Sequence, residues 1–213
     1  MSTVAYRIGD IRFSQTELRD LAAAWLALGV AFTLFLNPGH LQALQYGQLD
    51  VAALGRAFAL SMITVGGGFL LHELAHKVAA IRFGQVAEFR ADYSMLGLAI
   101  VASLAGFLFA APGAVHHRGY ITDRENGLIA LAGPLTNVAL AALFFPVWAL
   151  FGGFLGSVGS LGVIINLLLA GFNMIPFGPL DGKTVLRWNK LVFAAVFVPT
   201  VGLGVLLLFN GFF

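Results

Sequence analysis

The string His72-Glu73-Leu74-Ala75-His76 sits in an otherwise apolar run. Residues four apart on a helix share one face, so both imidazoles can meet one metal ion, and zinc is the ion that suits this pattern. Glu73, next to the first imidazole, stands where a general base could take a proton from a water that the metal activates. Ionisable groups inside a lipid span cost roughly 3 kcal/mol each on insertion scales, so three of them without a task would be expensive. The plainer alternative is a set of polar packing residues satisfied by neighbouring helices.

Catalytic zinc takes three protein ligands and leaves one position open. The chain contains no cysteine, so the third ligand must be His, Asp or Glu. Asp181 is the candidate, being the only acidic residue from Asn126 to Phe213. It lies in Asn173-Met174-Ile175-Pro176-Phe177-Gly178-Pro179-Leu180-Asp181-Gly182, where two prolines and two glycines break a helix. Unwound backbone at membrane depth is tolerated only where it lines a cavity within the protein. Without the first motif, Asp181 beside Lys183 would read as the cap of a span. His40, His116 and His117 fall in predicted loops and read as solvated rather than ligating.

Membrane helices must position these residues. Of the 213 residues, 59% are hydrophobic and 10% charged, whereas soluble domains carry about 25% charged residues. The polar stretches are too short for an appended soluble module, and a net charge of +2 with no block of like charge argues against nucleic acid as a partner. No cleavable leader is expected, because charged residues precede the first apolar run and no small-residue cleavage site follows it. A single membrane-embedded domain over 1–213 is the expectation.

Spans are predicted at Gln15 to Leu36, about Ala57 to Ile81, about Gly127 to Phe151, about Leu161 to Leu180, and Leu191 to Phe213. Ser14 with Glu17 fits a capping box for the first. Tyr6 to Phe13, around Gly9-Asp10, reads as a short hairpin or as a disordered leader. Val86 to Tyr93 alternates with period two and is predicted to be a strand, either an open edge on which an extended peptide could add or a plain interfacial connector. Gly66, Gly67 and Gly68 are read as permitting close helix approach.

Met95 to Val115 is long and apolar enough to cross, yet is predicted to re-enter on its own side. Shared ligation requires His76 and Asp181 at equal depth, and each is followed six residues later by an arginine, Arg82 and Arg187, which should then face one side. With a re-entrant segment, eleven of the 12 basic residues fall on that side and only Arg56 on the other, as expected of a cytoplasmic face and a cytoplasmic N-terminus. Gly97, Gly106, Pro112 and Gly113 also suit an interrupted segment.

His72 to His76, the Asn173 to Gly182 string, and Gly133-Pro134-Leu135-Thr136-Asn137 on the intervening span together resemble the site-2 protease family of intramembrane zinc metalloproteases, over about residues 57–190. The chain as a whole is expected to be an α-helical polytopic membrane protein of about five transmembrane helices plus the re-entrant segment and short β-strands near the site; its long, apolar Met95 to Val115 segment departs from many family members. The resemblance implies His72, His76 and Asp181 as ligands of one Zn2+, Glu73 as catalytic acid and base, and the transmembrane helix of a membrane-protein substrate, in the cell membrane, as the target. Asn137 and Asn173 match family asparagines that either hold unwound substrate backbone or tie helices together. The chain shows no PDZ or CBS module. The competing classes are a membrane metal transporter, which would line a path with polar residues on several spans, and a catalytically inactive binding homologue.

Overall fold

A computed structural model describes residues 4–39, 43, 46–107 and 112–209; His40 lies outside them. Strands β1 (Val4–Ile8) and β2 (Ile11–Ser14) form an antiparallel hairpin that turns at Gly9, whose φ of 57° favours glycine. Helix α1 (Gln15–Leu36) follows at once, with Ser14 as N-cap accepting the Glu17 N–H at 3.0 Å. The other half of the expected capping box does not form. The Glu17 carboxylate is drawn away to Lys77 Nζ at 2.5 Å and to the Phe89 N–H at 3.0 Å.

Helix α2 runs from Val51 to Arg82, with a π-helical turn at Met62–Gly66 just before the residues of interest. Then come β3 (Val86–Ala91), α3 (Tyr93–Leu104), β4 (Gly113–Arg118), α4 (Asp123–Leu150), α5 (Gly153–Asn173), α6 (Asp181–Trp188) and α7 (Lys190–Phe209). Among the described residues five helices, α1, α2, α4, α5 and α7, are long and apolar enough to cross a membrane.

α5 lies earlier than the span predicted at Leu161 to Leu180. Gly156, Gly159 and Gly162 resemble a loop composition, yet a Cβ at Gly159 would strike the backbone of Trp148 and one at Gly162 the ring of Phe144. Small residues here let α5 press against α4, as membrane helices commonly do. The far end of the predicted span unwinds before Asp181, which opens the separate helix α6.

Among the described residues of Met95 to Val115, no helix is long enough to cross. α3 has 12 residues, about 18 Å of rise against a hydrocarbon core of about 30 Å. β3 and β4 pair antiparallel with Ala91 opposite Gly113, and the Asp92 N–H donates to the Pro112 carbonyl at 3.1 Å. The two described ends of the segment therefore lie side by side, as the re-entrant reading requires. Single cysteines at the exposed Val86, Thr122 and Lys190 are expected to react with an impermeant thiol reagent on one side of the membrane, and one at Gln48 on the other. Reaction at Thr122 from the Gln48 side would contradict the re-entrant path.

The core binds α1, α2, β3 and α5 together through Leu21, Leu28, Phe32, Val65, Phe69, Phe89 and Ile165. Beside it Lys77 and Glu17, each 1% exposed, form a buried ion pair. Lys77 also donates to the Arg12 carbonyl at 2.6 Å and stands 4.1 Å from the Phe13 ring centroid, so its ammonium is fully occupied. This pair fixes the hairpin and β3 to the helix that carries the His-Glu-x-x-His string.

Candidate metal centre

One turn of α2 places His72 and His76 with their Nε2 atoms 3.0 Å apart. Asp181, the first residue of α6, brings Oδ2 to 3.2 Å from His72 Nε2 and 3.3 Å from His76 Nε2. Gly182 permits this: a Cβ there would collide with the backbone of Met174, so only glycine lets the first turn of α6 rest on the end of α5.

The outer ring nitrogens fix the tautomers. His76 Nδ1 lies 2.7 Å from the Ile129 carbonyl, which can only accept, so this nitrogen carries the proton. His72 Nδ1 lies 2.6 Å from Asn137 Oδ1. The amide nitrogen of Asn137 is committed to the Gly68 carbonyl at 3.2 Å and to Asn166 Oδ1 at 2.8 Å, so it is the oxygen that faces His72. With both rings neutral, as metal ligation requires, each Nε2 presents a lone pair towards the other and towards Asp181 Oδ2, a buried oxygen with no hydrogen-bond donor among the described residues. Three electron-rich atoms within about 3.3 Å repel unless a cation lies among them. The donor set suits a metal ion, and these residues could hold one.

Gly133 of α4 faces the same point. A Cβ added there would overlap both Nε2 atoms. Gly133→Ala is expected to abolish metal binding while leaving the helices intact, read by metal content and circular dichroism of the purified protein; a variant with the parent's metal content would show that the pocket gives way.

Glu73, 8% exposed, lies against the backbone of Val115 on β4. Both face a cavity of about 1550 Å³, walled by Leu28 and Phe32 of α1, Pro112 to His117, Phe172 and Asn173 at the end of α5, and the loop to Asp181. The outer edge of β3, read from the sequence either as open to an extended peptide or as a plain connector, is closed. Its Phe89 and Ala91 N–H groups donate to Glu17 and Asp20 of α1. Since those residues point away from β4, antiparallel alternation leaves the backbone groups of their partners Val115 and Gly113 facing away from β3 as well. Among the described residues the edge of β4 turned away from β3 pairs with no further strand, and it lines the cavity.

His116 and His117, expected in a solvated loop, are on β4, because the end of the apolar segment pairs with β3. His117 is half-buried at the cavity, where burial, and then the neighbouring His76, hold its imidazole below the ordinary histidine range. Asn173, also half-buried, lines the cavity and donates to the Leu169 carbonyl at 2.9 Å. Asn137 is wholly buried, with both ends of its amide engaged inside the protein.

Sequence reasoning passed over Asn166, and it named Gly133 only as part of the family string, without a role. A lone asparagine within Ile164-Ile165-Asn166-Leu167-Leu168 was a usable signal, since polar groups in a lipid span need a partner or a task. Gly133 carried no such signal of its own.

No family model and no solved structure matches the chain. It is 44% identical over 195 residues to a protein of Methanocaldococcus jannaschii provisionally named zinc metalloprotease MJ0611, a match spanning 90% of this chain and 94% of the relative. It is 30% identical over 146 residues to the likewise provisionally named zinc metalloprotease YwhC of Bacillus subtilis, covering 59% of this chain and 67% of that one. A similarly named Mycobacterium tuberculosis protein is 33% identical over 129 residues, 57% of this chain and 29% of its own length. With this degree of identity along nearly the whole chain, and with its His-Glu-x-x-His string folded against Asp181 inside a bundle of apolar helices, the protein belongs to the site-2 protease family of zinc metalloproteases.

Proposed function

We propose that the protein is an intramembrane zinc endopeptidase that hydrolyses a peptide bond within or beside a transmembrane segment of another membrane protein. The observation that carries this reading is the convergence of two bare Nε2 atoms and an unpartnered carboxylate oxygen beside Glu73, on the wall of a cavity set among membrane helices. One zinc ion held by His72, His76 and Asp181 would supply Lewis acidity, activating water and polarising the scissile carbonyl. Glu73 takes the proton of the attacking water and returns it to the departing amide nitrogen as the C–N bond breaks.

A helical substrate keeps its carbonyls hydrogen-bonded, so it must be unwound before the reaction. The free edge of β4 supports a binding mode in which the substrate adds as an extended strand, its backbone running past Val115 and hence past Glu73. Asn173 uses one amide hydrogen on Leu169, which leaves its oxygen and second hydrogen for that backbone. The side bearing the basic residues is the cytoplasmic one, with the N-terminus and the site towards it.

Purified protein in lipid vesicles with a single-span test substrate is expected to yield two fragments, with cleavage stopped by a zinc chelator and restored by added zinc. Zinc flux across the vesicle wall without fragments would instead identify a transporter. Zinc binding with neither would identify an inactive homologue.

A further inference from the structure

We propose that Asn166 is a positioning residue for the metal site and acts through Asn137 to set the tautomer and the aim of His72. The inference rests on the zinc-site reading above. Asn166 is wholly buried in the middle of α5. Its amide nitrogen donates to the Gly162 carbonyl at 2.9 Å, one helical turn earlier in the same helix. A carbonyl can only accept, so this contact turns the Asn166 oxygen towards Asn137, whose amide nitrogen donates to it at 2.8 Å.

The same nitrogen of Asn137 donates its second hydrogen to the Gly68 carbonyl, and its oxygen is left for His72 Nδ1 at 2.6 Å. Two acceptors, the Asn166 oxygen on α5 and the Gly68 carbonyl on α2, thereby fix the Asn137 amide and with it which nitrogen of His72 carries the proton. Gly68 adds to the lock: a Cβ there would come within 2.7 Å of Asn166 Oδ1, so α2 and α5 meet with the asparagine pressed between them. No solvent reaches either amide to offer a replacement partner. His76 needs no such device, because the Ile129 carbonyl holds it directly.

Removing the Asn166 oxygen leaves the Asn137 amide nitrogen held only by its longer contact to the Gly68 carbonyl, and an amide that rotates away from it presents N–H to His72 and reverses its tautomer. Asn166→Leu is expected to weaken zinc binding about tenfold or more, in the range known for outer partners of a ligating histidine. Asn166→Asp offers an oxygen to Asn137 at the same place and is expected to stay within about threefold of the parent, a difference of roughly 0.65 kcal/mol or less. In an Asn137→Ala background, Asn166→Leu should cost nothing further.

The measurement is chelator competition for zinc alone by the purified full-length chain in detergent, with circular dichroism as the check on folding. Zinc affinity unchanged in Asn166→Leu, or a loss in Asn166→Asp as large as in the leucine variant, would overturn the proposal. So would additive losses with Asn137→Ala. A parent chain that binds no zinc would instead defeat the zinc-site reading. Should the variants fail to fold, nitrogen NMR of the parent with labelled histidine, of which the chain has 5, decides: the proposal requires Nδ1–H at His72, and an unprotonated Nδ1 overturns it.

Discussion

Glu73→Gln is expected to retain one zinc per chain and to lose peptide hydrolysis by about 10²–10⁴-fold, the range that a positioned general base contributes. The amide fills the carboxylate's volume but cannot accept the proton of the attacking water. Neither imidazole depends on Glu73 for its orientation, since His72 is held by Asn137 and His76 by the Ile129 carbonyl. Metal content should therefore survive the substitution that removes turnover. Metal content and fragment yield on the same purified preparation check this, and zinc lost together with activity would make Glu73 a ligand or a structural residue.

Asp181→Asn is expected to weaken zinc binding beyond the roughly 10–100-fold that losing an outer partner of a ligand costs. Asp181 supplies the one anionic donor of the three, and its Oδ2 has no other partner. A neutral amide oxygen is a poorer ligand for a divalent ion. If the amide instead turned its nitrogen towards His72 and His76, it would cap the two lone pairs that the metal needs. Chelator competition measures the loss, and an unchanged affinity would remove Asp181 from the site.

Much of the fold was legible because membrane spans are long, apolar and locally determined. The expected limits of α1 coincide with the observed ones, since Ser14 starts the helix and Asn37-Pro38-Gly39 stops it. α5 was placed several residues late because its glycines resemble a loop until the surface of α4 is set against them. β3 was visible in its alternation, whereas β4 was hidden within an apolar segment and has no identity as a strand without β3 beside it.

By itself the sequence determined what helix geometry repeats every turn. His72 and His76 share a face because residues four apart must, and Glu73 follows the first of them. It also pointed to Asp181 by elimination, as the one acid on the later spans. Tertiary structure alone decided the rest. Closure of the β3 edge by Glu17 and Asp20, the free edge on β4, the space left by Gly133 and the Asn166–Asn137–His72 chain all join elements far apart in sequence. Periodicity reports which face of an element is apolar. It carries no record of which neighbour meets that face, and hydrogen bonds between buried groups form only once packing has excluded water and brought donor to acceptor.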